Sequence, residues 1–184
     1  MYATREAWLQ DAAGELAPII TAAGGTVPAS LRIACGFPST FRRSGALGET
    51  FRPTDSADST VEVLISPTLS NPVEVLAVLL RQLLAAAGGK ALATAAGLEP
   101  NQPRDIPAPS QTLLGALNTL ADSLGAYPHA ALSLADRPKA QTRLLKAVCP
   151  TCGYTIRLTA KWVAKGMPVC HDGDSFNLDT NSEA

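Results

Sequence analysis

From Val73 to Gly89 the chain reads VEVLAVLLRQLLAAAGG, an apolar run interrupted once, at Arg81 and Gln82. Asn71 just before it is a cap residue. Pro72 stands at the first helical position and Glu74 at the third, where a capping carboxylate belongs. The pattern predicts a helix closed by Gly88-Gly89, with a short helix over Lys90–Ala96 directly after it. Helical spacing recurs at Trp8, Leu9, Ala12, Leu16, Ile19 and Ile20, with Thr4 as cap and Gly24-Gly25 as stop. It recurs again from Ser110 through Leu113, Leu114, Leu117, Leu120 and Leu124. Alternation marks strands at Leu31, Ile33, Cys35 and over Val61–Ser66, and a shorter one around Leu47–Phe51. Glu99–Pro109, with its prolines, reads as a surface loop or linker.

From Lys146 onward the leucines thin out and cysteines enter. This predicts two units, 1–145 and 146–184, of α+β class, the second small and β-rich. A length of 184 residues suits one domain and such an appendix. The 15 basic and 16 acidic residues leave a net charge of -1, so nothing global points to nucleic acid or an anionic membrane. No apolar run reaches the roughly 20 residues that span a bilayer. The opening MYATREAWLQDAAGEL does not read as a secretion signal. The expected setting is cytoplasmic, without a membrane partner, and a CPTC pair there suggests metal before disulfide.

The segment CPTCGYTIRLTAKWVAKGMPVCHDGD carries the most specific chemistry. Cys149 and Cys152 have the two-residue spacing of a zinc knuckle, and Gly153 suits the turn after it. Cys170 follows after 17 intervening residues, with a strand over Tyr154–Leu158 and a short helix over Thr159–Lys165 between them. This is the layout of a zinc ribbon holding one structural Zn2+ per chain. His171 or an aspartate, Asp172 or Asp174, would complete the ligand set, although His171 is directly adjacent to Cys170. The competing readings are a ribbon that has lost its metal and a redox CxxC pair. Arg137, Lys139, Arg143, Lys146, Arg157, Lys161 and Lys165 lie in a span without Asp or Glu, a local charge of +7 with Tyr154 and Trp162 interleaved. Such a face suits phosphate contact, and equally a solvated surface balancing an acidic remainder. Cys35, within an alternating strand, reads as core rather than as a nucleophile served by His129.

The segments VLISPTLSNPVEVLAVLL, LGAYPHAAL and LLKAVCPTCGYTIRLTAKWVAKGMPVC are similar to the SprT-like metallopeptidase family, above all its phage-encoded members. The resemblance runs from TREAWLQ to Cys170 and is most specific in the tail. It implies a small α+β zincin-like domain followed by a zinc ribbon. Eukaryotic relatives cleave proteins crosslinked to DNA. The family carries HExxH on the helix described above, two zinc-binding histidines one turn apart with a glutamate that activates water. On this chain those positions are Arg81, Gln82 and Ala85. Arginine stays cationic and cannot bind zinc, glutamine cannot accept a proton, and alanine offers no donor atom. The only histidines, His129 and His171, lie elsewhere.

The expectation is therefore a catalytically inactive SprT-like protein with no catalytic residues. It would act as a binding module that contacts nucleic acid or a nucleoprotein through the basic ribbon. The alternative is a structural or assembly subunit meeting phage or virion proteins, in the host cytoplasm or the virion. Residual peptidase activity is a third reading. Arg81 and Gln82 are either ordinary helix residues, or Arg81 replaces the lost zinc charge and holds an acid, Glu49 or Glu62, or a bound anion.

Overall fold

The computed structural model describes residues 2–133 and 144–179. They fall into two compact units, Met1–Leu134 and Ala135–Ala184, together an α+β chain with two small sheets. Thr4 caps helix α1 (Arg5–Ala22), its Oγ1 accepting from the Ala7 N–H at 3.2 Å. Strand β1 (Leu31–Cys35) follows, then a one-turn helix α2 (Phe41–Ser44), β2 (Gly48–Phe51) and β3 (Val61–Ile65). The sheet order is β1-β3-β2, with β1 parallel and β2 antiparallel to the central strand. Alternation in β3 holds: Val61, Val63 and Ile65 are buried.

Asn71 Oδ1 accepts from the Val73 N–H at 2.9 Å and the Glu74 N–H at 3.3 Å, opening α3 (Pro72–Ala87). Val75 to Leu80 and Gln82 to Leu84 are all buried. A helix apolar around its whole circumference belongs at the centre of a fold. Here α1, the sheet, α4 (Lys90–Ala95) and α5 (Gln111–Leu124) all pack on α3. Trp8, Leu9, Leu16 and Ile20 of α1 are fully buried in this core. Ser110 Oγ caps α5 by accepting from the Leu113 N–H at 3.3 Å.

Among the described residues, one charged side chain joins the interior. Arg5 is 7 % exposed. Its Nε donates to Pro128 O at 3.0 Å, Nη1 to Pro67 O at 3.2 Å and Cys35 Sγ at 3.3 Å, and Nη2 to Ala130 O at 2.7 Å and His129 O at 3.5 Å. Its guanidinium also lies 5.2 Å from the centre of the Tyr127 ring. The YPHA segment (Tyr127–Ala130) is thus pinned to the start of α1.

In the second unit β4 (Leu144–Val148), β5 (Thr155–Thr159) and β6 (Asn177–Leu178) form an antiparallel sheet of order β5-β4-β6. The one-turn helix α6 (Ala160–Val163) is shorter than the sequence suggests: Thr159 still pairs with Leu144 in the sheet, and Ala164 already caps the far end. Only Ala147, Cys149, Cys170 and Phe176 form a buried cluster among the described residues of this unit. Arg137, Lys139 and Arg143 lie outside the described residues. No helix among them is long and apolar enough to cross a membrane.

Candidate metal centre

Two tight turns face each other in the second unit. In the first, Cys149 N–H donates to Tyr154 O at 2.9 Å and Gly153 N–H returns to Cys149 O at 3.1 Å. Gly153 has φ +73°, a left-handed conformation that favours glycine. In the second, Cys170 N–H donates to Asp174 O at 2.7 Å and Gly173 N–H returns to Cys170 O at 2.9 Å, with Gly173 at φ +93°. The Thr151 hydroxyl donates to the Asp174 carboxylate and ties the turns together.

This arrangement brings the Sγ atoms of Cys149, Cys152 and Cys170 and a carboxylate oxygen of Asp172 within 4.8 Å of one another, close enough to hold a metal ion. Cys152 Sγ and Cys170 Sγ are 3.5 Å apart, and Cys149 Sγ is 3.4 Å from Asp172 Oδ2. The converging fourth group is Asp172. His171 directs Nδ1 to Cys170 Sγ at 3.3 Å. Asp172 follows Cys170 by two residues, and the tight turn brings its side chain back over the cysteine. Asp174 is spent on Thr151.

The Tyr154 N–H pulls the Cys152 thiol down, but lost hydration and the adjoining Cys149, Cys170 and Asp172 outweigh it and push it up to about 12. Lost hydration would raise the Asp172 carboxyl, but the three thiols donate to it and hold it below the usual carboxylate range. A bound cation must displace the thiol protons. Metal affinity is therefore expected to rise with pH and to fall on acidification. A chelator-competition titration from pH 6 to 8 checks this; an affinity that stays level would show that the thiols are not the ligands.

Arg81, Gln82 and Ala85 on α3 occupy a different kind of place. Arg81 does not meet Glu49 or Glu62. Glu49 accepts from the Ser39 N–H and hydroxyl at 2.5 and 2.7 Å, and Glu62 pairs with Arg32 at 2.5 Å. Arg81 Nη1 donates instead to Asn101 Oδ1 at 3.0 Å, Asp105 O at 3.0 Å and Gln102 O at 3.3 Å, and Nη2 to Pro103 O at 3.0 Å. Burial draws this guanidinium down from its ordinary value and Asp105 opposes the shift. Arg81→Ala is expected to loosen the 101–105 loop at a cost of about 1.5–3 kcal/mol, the range for hydrogen bonds to a charged group. Hydrogen exchange at the Leu47 N–H, which donates to Pro103 O at 3.0 Å, should accelerate.

Gln82 is buried, and its Oε1 and main-chain oxygen both lie 3.0 Å from Thr50 Oγ1. A Cβ at Gly48 would stand 2.9 Å from Gln82 Cγ and Nε2, so a larger residue here would push the Gln82 side chain off its Thr50 contact. Gly48→Ala is expected to cost about 1–3 kcal/mol through overpacking, read as a lower urea midpoint at unchanged slope. Arg81, Gln82 and Ala85 together line a cavity of about 340 Å³.

No protein-family model matches the chain, and no curated protein or solved structure matches it. Fold and site define an α+β chain whose second unit carries a candidate metal cluster of three cysteines and an aspartate.

Proposed function

We propose that this chain is a non-hydrolytic binding protein on a SprT-like scaffold, in which one structural Zn2+ staples the C-terminal unit and its basic, aromatic face contacts nucleic acid or a nucleoprotein. The donor set supports zinc. Thiolates select soft or borderline ions, and a regular tetrahedron with Zn–S near 2.3 Å and Zn–O near 2.0 Å has edges of roughly 3.8 Å for S···S and 3.5 Å for S···O. The 3.5 Å between Cys152 and Cys170 and the 3.4 Å between Cys149 and Asp172 lie near those edges. Zinc held there supplies folding energy. The residue types at 81, 82 and 85 support the non-hydrolytic part, since Arg81, Gln82 and Ala85 hold and activate nothing at a metal.

The observation that carries the contact is Trp162. It is 54 % exposed, with the Lys161 and Lys165 ammonium groups 6.0 and 5.1 Å from its ring. On the neighbouring strands Lys146 and Arg157 stand directly opposite each other, a like-charged pair that a phosphate would relieve. Lys146 is already held by Asp179 at 2.8 Å, which leaves Arg157, Lys161 and Lys165 as the stronger candidates.

The test is fluorescence anisotropy with a labelled single-stranded oligonucleotide across a salt series. Log affinity should fall linearly with log salt, and Lys161→Ala/Lys165→Ala should make the slope shallower by about 1.4, roughly 0.7 per lost phosphate contact on a single strand. No binding at low salt, or binding indifferent to salt, would remove nucleic acid from the reading.

A further inference from the structure

Around the cavity at Arg81 the unspent polar groups are nearly all donors. Arg81 gives both Nη1 hydrogens and one Nη2 hydrogen to the 101–105 loop. Its Nε–H and remaining Nη2–H, the two donors of the side-on edge, have no partner among the described residues. Gln82 is 8 % exposed, and with its Oε1 on Thr50 its Nε2 donates to nothing among them. Lys90 lines the same space and forms no ion pair among the described residues. Of the other side-chain oxygens there, Asn101 Oδ1 takes Arg81, while the Thr94 hydroxyl spends its hydrogen on Lys90 O at 3.4 Å and keeps its acceptor lone pairs. The single acid on the lining is Glu99. Ala85, Ala93 and Leu98 supply apolar wall.

We infer that this cavity binds a small monocarboxylate with a short apolar body, its two oxygens on the side-on edge of Arg81 and within reach of the Gln82 amide. A guanidinium edge offers two parallel N–H groups that match the two oxygens of a carboxylate. The charges on the lining, two positive and one negative, favour a single negative charge over a phosphate dianion. A volume of about 340 Å³ is at the small end of ligand pockets, the scale of a modified amino acid. The carboxylate can come from a free acid or from the C-terminus of a peptide. This site lies wholly in the first unit and stands or falls separately from nucleic-acid contact by the second.

The experiment is two-dimensional NMR of the labelled full chain, titrated with N-acetyl-leucine, its methyl ester, inorganic phosphate and the tripeptide N-acetyl-Ala-Ala-Leu with a free C-terminus. The expected result is saturable shifts at the Gly48 and Gly89 amides and at Arg81 Nε–H with the acid. The ester and the Arg81→Lys variant should bind roughly ten- to a hundredfold more weakly, the loss of charge-assisted hydrogen bonds. Because Arg81 also holds the 101–105 loop, a second variant, Ala85→Trp, puts bulk into the cavity from a lining residue that makes none of those contacts and should abolish binding. A tripeptide tighter than the free acid assigns the site to peptide C-termini, and a weaker one to free acids; both uphold the inference. Equal binding of acid and ester, phosphate binding as well as the acid, binding undisturbed in Ala85→Trp, or no saturable shift would each overturn it.

Discussion

Chelation is expected to unfold the C-terminal unit while the N-terminal unit stays folded. The described part of that unit buries only Ala147, Cys149, Cys170 and Phe176. So small an apolar cluster does not offset the entropy of ordering the surrounding turns and strands, and units of this size rely on a staple. Structural zinc in finger-sized units contributes about 10–16 kcal/mol of apparent binding energy at pH 7, which is then folding energy. Purified protein should carry about one zinc per chain, and Cys149→Ser/Cys152→Ser should carry none. Near-ultraviolet circular dichroism would follow Trp162 and Tyr154 in the second unit against Trp8 in the first. Loss of the former with retention of the latter is the expected outcome. A second unit unchanged without metal would make it a pure packing scaffold, and two zincs per chain would demand a ligand set beyond the three cysteines and Asp172.

Arg5→Leu is the second large effect. All five contacts of its guanidinium end on uncharged acceptors, four of them main-chain carbonyls of residues 67 and 128 to 130. Leucine fills part of the volume and leaves those oxygens without a donor. Each buried orphan costs about 1–3 kcal/mol, so a loss of roughly 3–5 kcal/mol is expected after partial hydration. Arg5→Lys should recover only a part, since an ammonium cannot span carbonyls arranged for a planar fork. Urea unfolding followed by Trp8 fluorescence reads this directly, because Trp8 stands edge-on to Tyr127 at 5.0 Å and donates from Nε1 to Gly125 O at 3.2 Å. A midpoint unchanged in Arg5→Leu would mean that the YPHA segment is held by something else.

Much of the architecture was legible from local patterns. Caps at Thr4, Asn71 and Ser110 open their helices, because a side-chain oxygen near free N–H groups acts within one turn. Alternation in Val61–Ile65 marked the strand that became the sheet's centre. The CPTC turn was legible for the same reason, since its spacing alone brings two thiols together. Less legible was the one-turn helix α2 within a loop of turn-forming residues. The sequence leaves the fourth converging group open among His171, Asp172 and Asp174, because the choice depends on how one turn faces another.

By itself, then, the sequence determined most of the elements, the cysteine turn and the placing of Arg81 and Gln82 side by side on an apolar helix, since each depends on residues a few positions apart. Only the tertiary structure decided that Asp172 meets the cysteines and that Arg81 holds the 101–105 loop rather than Glu49 or Glu62. It alone also buried an arginine at position 5. These depend on which carbonyls, carboxylates and turns arrive beside a side chain from 20 to 125 residues away in the chain, and local periodicity carries no information on that.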